Sequence, residues 1–252
     1  MSASYPTKLF LAARSGNICA LPDCRTSLTS VGNEAEHAVI GEAAHIYGEN
    51  PGTDKKKPSA RFRENMTELE RNHYNNLIYL CPTCHTKIDK QEADFPAEIL
   101  FKFKEEHEAW VEERLDICMS DVSFAELEIA AKAIATGNHS VNGDFVVIPP
   151  KEKLNKNNLG NIPRSYIALG LSRSSEVRRF LAQMSLLDGE YPIRLKDGFK
   201  HKYSELKTQM NGDELFMAMV VFSQKGFTDF TQQAASVALL SHLFHLCEVF
   251  EK

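Results

Sequence analysis

Two short cysteine pairs, Cys19-x4-Cys24 and Cys81-x2-Cys84, stand out in this chain of 252 residues. Each pair is short enough for both sulfur atoms to point at one metal ion. Four thiolates in tetrahedral geometry favour Zn²⁺, and such a site contributes about 10–16 kcal/mol of apparent binding energy to folding. Unrelated buried cysteines are the alternative, because cysteine packs as a small apolar residue. We predict one structural zinc site.

Groups suited to hydrolysis flank the second pair. His45 ends an apolar segment, Asn76 precedes Leu-Ile-Tyr-Leu, and His85 and Asp89 follow Cys84. Residues four apart share one face of a helix, so the side chains of His85 and Asp89 can reach the same cation. Neutral imidazole takes a proton from water near pH 7, and a divalent cation neutralises a phosphate and its leaving oxygen. Together these groups favour phosphodiester cleavage, although each alone is explained equally well as a structural or surface residue.

The order of these groups resembles the HNH, or ββα-metal, endonuclease family from about residue 17 to residue 92. The resemblance implies a β-hairpin followed by a helix that holds one divalent cation. Within it, His45 would activate water, Asn76 would fix the loop geometry, and His85 would act with Asp89 at the cation. Asn75 is the neighbouring alternative to Asn76, but the family motif specifies the residue directly before Leu.

One position departs from the family pattern. Many members carry Asp, Glu or His directly before the catalytic histidine as a further metal ligand, whereas this chain has Ala44. The cation would therefore have two protein ligands, unless Glu42 bends round to help. Two protein ligands completed by waters and phosphate oxygens suit Mg²⁺ or Mn²⁺.

A basic run separates the two halves of the motif. Its members, which fall within nine residues, are Lys55, Lys56, Lys57, Arg61 and Arg63. A solvated loop is the plain interpretation of such a run, but its position favours contacts with the phosphates of double-stranded DNA. The net charge of −5 argues against tight non-specific binding by the chain as a whole.

Further segments resemble the HNH domains of bacterial antiphage effectors, which include the HNH–SAVED effectors of cyclic-oligonucleotide (CBASS) immunity. One such segment is Lys104-x-x-His107-Glu108-x-Trp110. The C-terminal half is too short for a SAVED sensor, and its end is instead similar to effectors of ABC-ATPase three-component (Lamassu-like) defence systems. The resemblance implies restriction of phage DNA under the control of ABC-ATPase-type partner proteins, of homo-oligomerisation, or of both.

The predicted fold class is α+β, with a zinc-stabilised HNH domain over residues 1–118, a helix and linker over 119–163, and a mainly helical regulatory or assembly domain over 164–252. We expect strands over 37–47 and 77–80, and a short strand over 145–148. Helices are expected over 5–15, 67–74, 82–91, 96–117 and 124–135. Residues 230–250 are apolar around more than one helix face, so this helix is either central to the core or shared with a partner.

Composition indicates an ordinary globular protein, with 43% hydrophobic and 25% charged residues. No apolar run approaches the roughly 18 residues that span a bilayer, and the N-terminus lacks a signal-peptide pattern. We therefore expect a cytoplasmic protein that does not bind membranes, with reduced cysteines. Two other classes remain: a zinc-ribbon module that binds nucleic acid or protein without catalysis, and a toxin or homing nuclease. The last class should carry a secretion signal or a DNA-recognition extension, and neither is apparent.

Overall fold

The chain divides into two compact units between Glu113 and Arg114 in the computed structural model. The structure describes residues 3–30, 38–53, 57–135, 150–246 and 249–250. The fold class is α+β, mostly helical, with two small antiparallel sheets among the described residues. The division falls five residues before the predicted boundary at 118, and the predicted strand over 145–148 lies outside the described residues.

The first unit consists of short elements joined by long loops. Its strands are β1 (Thr29–Ser30), β2 (Ala38–Val39), β3 (Glu42–His45) and β4 (Leu77–Leu80). Its helices are α1 (Tyr5–Arg14), α2 (Glu68–Arg71), a 3-10 turn (Tyr74–Asn76), α3 (Pro82–Lys90) and the greater part of α4 (Ala97–Met119).

The central sheet of this unit pairs β3 with β4 in antiparallel register, with His45 opposite Leu77 and Glu42 opposite Leu80. All four residues of β4 are buried, because α1 and α3 pack against this strand. The predicted single strand over 37–47 is wrong. The segment divides between two sheets, since the Ile40 amide donates to the Leu28 carbonyl while Glu42 begins the pairing with β4.

Capping explains where the helices near the sheet begin. The Ser4 hydroxyl accepts a hydrogen bond from the Thr7 amide at the start of α1. Thr67 and Glu70 form a capping box at the start of α2. Sequence reasoning extended this helix to Tyr74, but it ends at Arg71, and Asn72 is its C-terminal cap.

A long amphipathic helix, α4, completes the first unit. Leu100, His107 and Val111 on its inner face are fully buried. The imidazole Nε2 of His107 lies 3.1 Å from the Ser15 carbonyl oxygen. A charged cluster lies beside it: Glu108 pairs with Lys104 and Arg14 and accepts a hydrogen bond from the Tyr74 hydroxyl. These contacts join α1, α4 and the 3-10 turn that leads to Asn76.

The second unit is helical throughout its described part. Its helices are α5 (Phe124–Ala135), α6 (Pro150–Lys156), α7 (Asn161–Leu171), α8 (Ser174–Leu187), α9 (Tyr191–Lys207), α10 (Gly212–Gln224) and α11 (Phe230–His245). Because α5 packs against α8, α9 and α11, it belongs to this unit rather than to a linker. None of the described helices is long and apolar enough to cross a membrane.

The last helix, α11, occupies the centre of the second unit. It packs against α5, α7, α8 and α10, and every residue from Gln233 to Phe244 is buried. Lys153 is buried beside its end, where the ammonium group donates to the Phe244 and Val249 carbonyl oxygens, both at 2.7 Å. Of the two roles predicted for this apolar segment, the structure assigns it the core role.

Candidate metal centre and hydrolytic site

The four paired cysteines converge on one point of the first unit. Their Sγ atoms all lie within 4.8 Å of one another, and those of Cys24 and Cys81 are 3.9 Å apart. Four thiolates around a zinc ion, each about 2.3 Å from it, would be about 3.8 Å apart. The spacing therefore fits the predicted structural zinc site.

Backbone hydrogen bonds hold the two cysteine pairs together. The Ala20 amide donates to the Tyr79 carbonyl oxygen over 2.9 Å, which joins the first pair to β4. Cys81 follows β4 directly and caps α3, where its Sγ accepts the Cys84 amide at 3.3 Å. A metal bound here would therefore fix the start of α3, the helix that carries His85 and Asp89.

The thiols of the cluster differ in how easily they ionise. Burial raises the pKa of Cys19 to about 11 and also raises the pKa of Cys84. Burial acts in the same direction at Cys24, but hydrogen bonds with Thr26 and the other cysteines outweigh it and lower its pKa to about 7. Thiols that resist ionisation in the protein alone are ionised by a bound cation, which releases protons.

His45 ends β3 with a half-buried side chain. Its Nε2 lies 3.1 Å from Oδ1 of Asn72, and Nδ2 of Asn72 donates to the Glu68 carbonyl oxygen over 3.2 Å. The Glu68 carbonyl oxygen can only accept, so the side-chain nitrogen of Asn72 must face Glu68. The side-chain oxygen of Asn72 then faces His45. Neutral His45 therefore carries its hydrogen on Nε2, which leaves Nδ1 as the basic atom.

Asn76 fixes the chain that follows His45. Its Oδ1 accepts the Tyr47 amide, and its Nδ2 donates to the carbonyl oxygens of Tyr47 and Arg71, each over 2.9 Å. Its own carbonyl oxygen accepts the Ile46 amide. The side chain is buried, and both amide hydrogens and the amide oxygen bond the backbone at Tyr47 and Arg71. The sequence analysis expected Asn76 to fix the geometry of this loop, and these hydrogen bonds are consistent with that role.

His85 lies between two carboxylates. Its Nδ1 is 2.7 Å from Oε2 of Glu42, and its Nε2 is 3.5 Å from Oδ2 of Asp89. Glu42 and Ala44 occupy the same face of β3, because alternate strand residues point the same way. Glu42 thus contacts His85 on α3 from a position two residues before Ala44, where the family pattern has a ligand.

The pair of carboxylates has a consequence for metal binding. If neutral His85 donates from Nδ1 to Glu42, its Nε2 carries a lone pair that points towards Asp89. Nε2 of His85 and Oδ2 of Asp89 are then two acceptors that face each other. A separation of 3.5 Å between them fits two ligands that each lie about 2.1 Å from a shared cation. The carboxylate–histidine–metal arrangement is a common way to orient a metal ligand. Glu42, His85 and Asp89 therefore fit a cation site in which Glu42 orients the imidazole.

Arg61 lies inside the first unit rather than on a basic edge. Its guanidinium group donates to the Ile46 and Ile88 carbonyl oxygens over 2.8 and 2.7 Å. It also pairs with Oδ1 of Asp89 at 2.8 Å, while its side chain is only 4% exposed. Arg61 thereby joins the turn after His45 to α3 and leaves Oδ2 of Asp89 on the side of His85.

The other members of the predicted basic run have different positions. Lys57 is exposed, and Lys55 and Lys56 lie outside the described residues. Arg63 is exposed, and its guanidinium carbon lies 4.5 Å from the centre of the Tyr47 ring. Lys57 and Arg63 are thus accessible to a phosphate, whereas Arg61 is committed to internal partners.

Sequence reasoning missed the role of Asn72 altogether. The helix predicted over 67–74 would have placed Asn72 on a helix surface. Because α2 ends at Arg71, Asn72 turns towards His45 instead. A polar residue that binds local backbone at a helix end is typical of asparagine, and this was the available signal.

No protein-family model matches the chain, and no curated protein matches it. The function therefore has to be inferred from the chemistry of the cysteine cluster and of the groups around His45 and His85.

Proposed function

We propose that this protein is a metal-dependent HNH endonuclease that hydrolyses phosphodiester bonds in double-stranded DNA. The observation that carries the proposal is the succession of β3, β4 and α3. It puts an oriented histidine at a strand end, a buried asparagine that braces the next turn, and a histidine and a carboxylate one helical turn apart. This succession is the one that a ββα-metal site requires, and the cysteine cluster would hold a structural zinc ion that stabilises it.

In this proposal His45 is the general base. Its Nδ1 takes the proton of the attacking water, since Nε2 holds its hydrogen against Asn72. His85 and Asp89 would hold Mg²⁺ or Mn²⁺, which when bound neutralises the phosphate and the leaving oxygen. Glu42 holds the imidazole of His85 in the ligating tautomer. Arg63 and Lys57 contact the DNA backbone from the exposed loop.

A zinc-binding module without catalysis is the second candidate, because the cysteine cluster alone would support it. Such a module has no need of a histidine whose tautomer is fixed by a neighbouring amide. Asn72 accepts a hydrogen bond from His45 and donates one to the Glu68 carbonyl oxygen, and this arrangement therefore favours the nuclease.

The biological setting remains a proposal that follows from the resemblance to antiphage effectors. In it the second unit controls the nuclease through assembly with itself or with ABC-ATPase-type partners. Because α11 is enclosed, such a partner has to use the outer surface. Leu186 and Leu187 at the end of α8 are 87% and 77% exposed, which makes them the residues to test by substitution with glutamate.

The proposal is tested by incubating the purified full chain with supercoiled plasmid DNA and Mg²⁺ or Mn²⁺. Nicked and linear products should form, chelation of the divalent cation should stop the reaction, and His45→Ala should abolish it without loss of zinc. His201→Ala, an exposed histidine of the second unit, is the matched control. Zinc-loaded wild-type protein that cuts neither DNA nor RNA with any of these cations would favour the binding module.

A further inference from the structure

A cup of about 310 Å³ opens in the first unit next to the turn that follows His45. Half-buried Tyr47 and Phe101 are its aromatic residues, and their ring centres lie 5.5 Å apart at 59°. Exposed polar residues, among them Arg63, His73 and Asn75, share the lining with Met66, Glu70 and the buried Asn76. A concave surface with apolar walls and a few polar groups is the usual form of a small-ligand site.

The aromatic side of the cup already contains a stacked pair. The guanidinium carbon of Arg63 lies 4.5 Å from the centre of the Tyr47 ring. Both planar groups are surfaces on which nucleobases stack, and an exposed arginine can move to admit a base against the tyrosine ring or stack on the base itself. Flat heteroaromatic ligands are therefore favoured over sugars or aliphatic chains.

The polar rim suits the edge of such a ring. Nδ1 of His73 accepts the Asn75 amide at 3.3 Å, so neutral His73 has its hydrogen on Nε2 and is a donor there. The side chains of Asn65 and Asn75 also line the cup, and each offers both a donor and an acceptor. A nucleobase carries donors and acceptors along its edge. The volume is at the lower end of the range for ligand pockets, about 300–1,000 Å³, which fits a single nucleoside.

The position of the cup connects it with the proposed reaction. Tyr47 is two residues after His45, and the Asn76 side chain holds its backbone amide and carbonyl groups. His73 follows Asn72, whose amide holds His45. The cup therefore lies beside the turn that follows the proposed general base. Paired bases in a duplex cannot enter a cup, so its occupant has to be unpaired.

We propose that this cup binds one unpaired nucleobase of the DNA strand being cut, stacked against Tyr47 and Arg63. Its place beside the scissile phosphate rests on the proposed nuclease function, whereas the binding of a base does not. The consequence is a preference for DNA with unpaired or easily unpaired bases near the cut.

Binding is measured with the full chain by fluorescence anisotropy, without added divalent cation, so that no strand is cut. The probes are a short single-stranded DNA oligonucleotide and a fully abasic oligonucleotide of the same length and charge. Tyr47→Ala and Arg63→Ala should each weaken binding of the first probe by about tenfold, the range expected when one base loses its stacking partner. Wild type should bind the first probe more tightly than the abasic probe, and both variants should lose this difference in affinity. Tyr47→Phe should bind as wild type, and Lys57→Ala should weaken both probes equally.

The outcomes separate the two proposals. Equal loss of both probes in Arg63→Ala would mean a phosphate contact only and would overturn the base site, as would wild-type binding that ignores the bases. A base-dependent preference for RNA of the same sequence over DNA would overturn the DNA assignment. If Tyr47→Ala loses its zinc or its fold, Arg63→Ala and Arg63→Lys decide the matter, because Arg63 is exposed and Lys keeps the charge without the stacking plane. Base-dependent binding by a protein that cuts no DNA would refute the nuclease proposal and still support the base-binding site.

Discussion

Asn72 offers the sharpest test of how His45 works, because its amide selects the atom that would act as the base. The substitution Asn72→Ala removes the 3.1 Å hydrogen bond at Nε2 of His45. It leaves the hydrogen bonds between the Asn76 side chain and the Tyr47 backbone in place. The imidazole can then carry its hydrogen on either nitrogen and rotate. The expected result is slower cleavage by a correctly folded, zinc-loaded protein.

The size of the effect follows from the contact that is lost. One neutral hydrogen bond contributes about 0.5–1.5 kcal/mol net, and each 1.36 kcal/mol changes a rate tenfold. Asn72→Ala should therefore cut about two- to twelvefold more slowly at saturating cation. Asn72→Asp should act differently: a carboxylate at this position stabilises the imidazolium form of His45, so the acid limb of the pH–rate profile moves to higher pH.

The assay is single-turnover cleavage of plasmid DNA across the acid and neutral range, with zinc content measured on each preparation. Leu69→Ala is the matched control, since Leu69 belongs to the same short helix and is 81% exposed. An Asn72→Ala protein that cuts at the wild-type rate at every pH, while His45→Ala is inactive, would refute the orienting role. A shift of the acid limb in Leu69→Ala would also refute it.

Three further predictions concern the cation, the buried arginine and acid stability. Asp89→Ala should raise the Mn²⁺ concentration needed for half-maximal cleavage about tenfold or more, and an unchanged requirement would leave Asp89 only as the ion-pair partner of Arg61. Arg61→Met should lower the free energy of unfolding of the first unit by about 2–4 kcal/mol in urea titrations, because it leaves buried carbonyl oxygens without their donor; a change below about 0.5 kcal/mol would contradict this. Burial, with the nearby charges of Arg178 and His245, lowers the pKa of His242 to about 4, so the unfolded chain takes up a proton as the pH falls below about 6.5 and the folded chain does not. The second unit should therefore be fully stable above that pH and lose up to about 3 kcal/mol between pH 6.5 and 4, and His242→Asn should unfold with a weaker dependence on pH over that range.

Local signals in the sequence were sufficient for much of the first unit. Leu77–Leu80 is an unbroken apolar run next to a Pro-Thr-Cys helix start, and it is a strand with the predicted bounds. The cysteine pairs have spacings that leave their sulfurs few other arrangements, and they converge as expected. Thr67 and Glu70 satisfy each other within one turn, so the capping box needed no tertiary information.

Contacts between distant segments could not be predicted in the same way. Arg61 is one of five basic residues in a loop, and only the fold determines that carbonyl oxygens from Ile46 and Ile88 surround it. Glu42 was a conditional ligand because its reach depends on the register of β3 against β4 and on where α3 packs. The final helix is apolar on most sides, a pattern that a core helix and a partner-binding helix share, and the packing of α5, α7 and α10 decided between them.

We propose that His45 catalyses metal-dependent cleavage of DNA by a protein that zinc stabilises. The most direct measurement compares wild type with His45→Ala for plasmid cleavage in Mg²⁺ or Mn²⁺, with zinc determined on the same preparations. We expect about one zinc per chain in both proteins, cleavage by wild type, and none by His45→Ala. Near wild-type cleavage by His45→Ala, or a folded and active wild type without zinc, would contradict it.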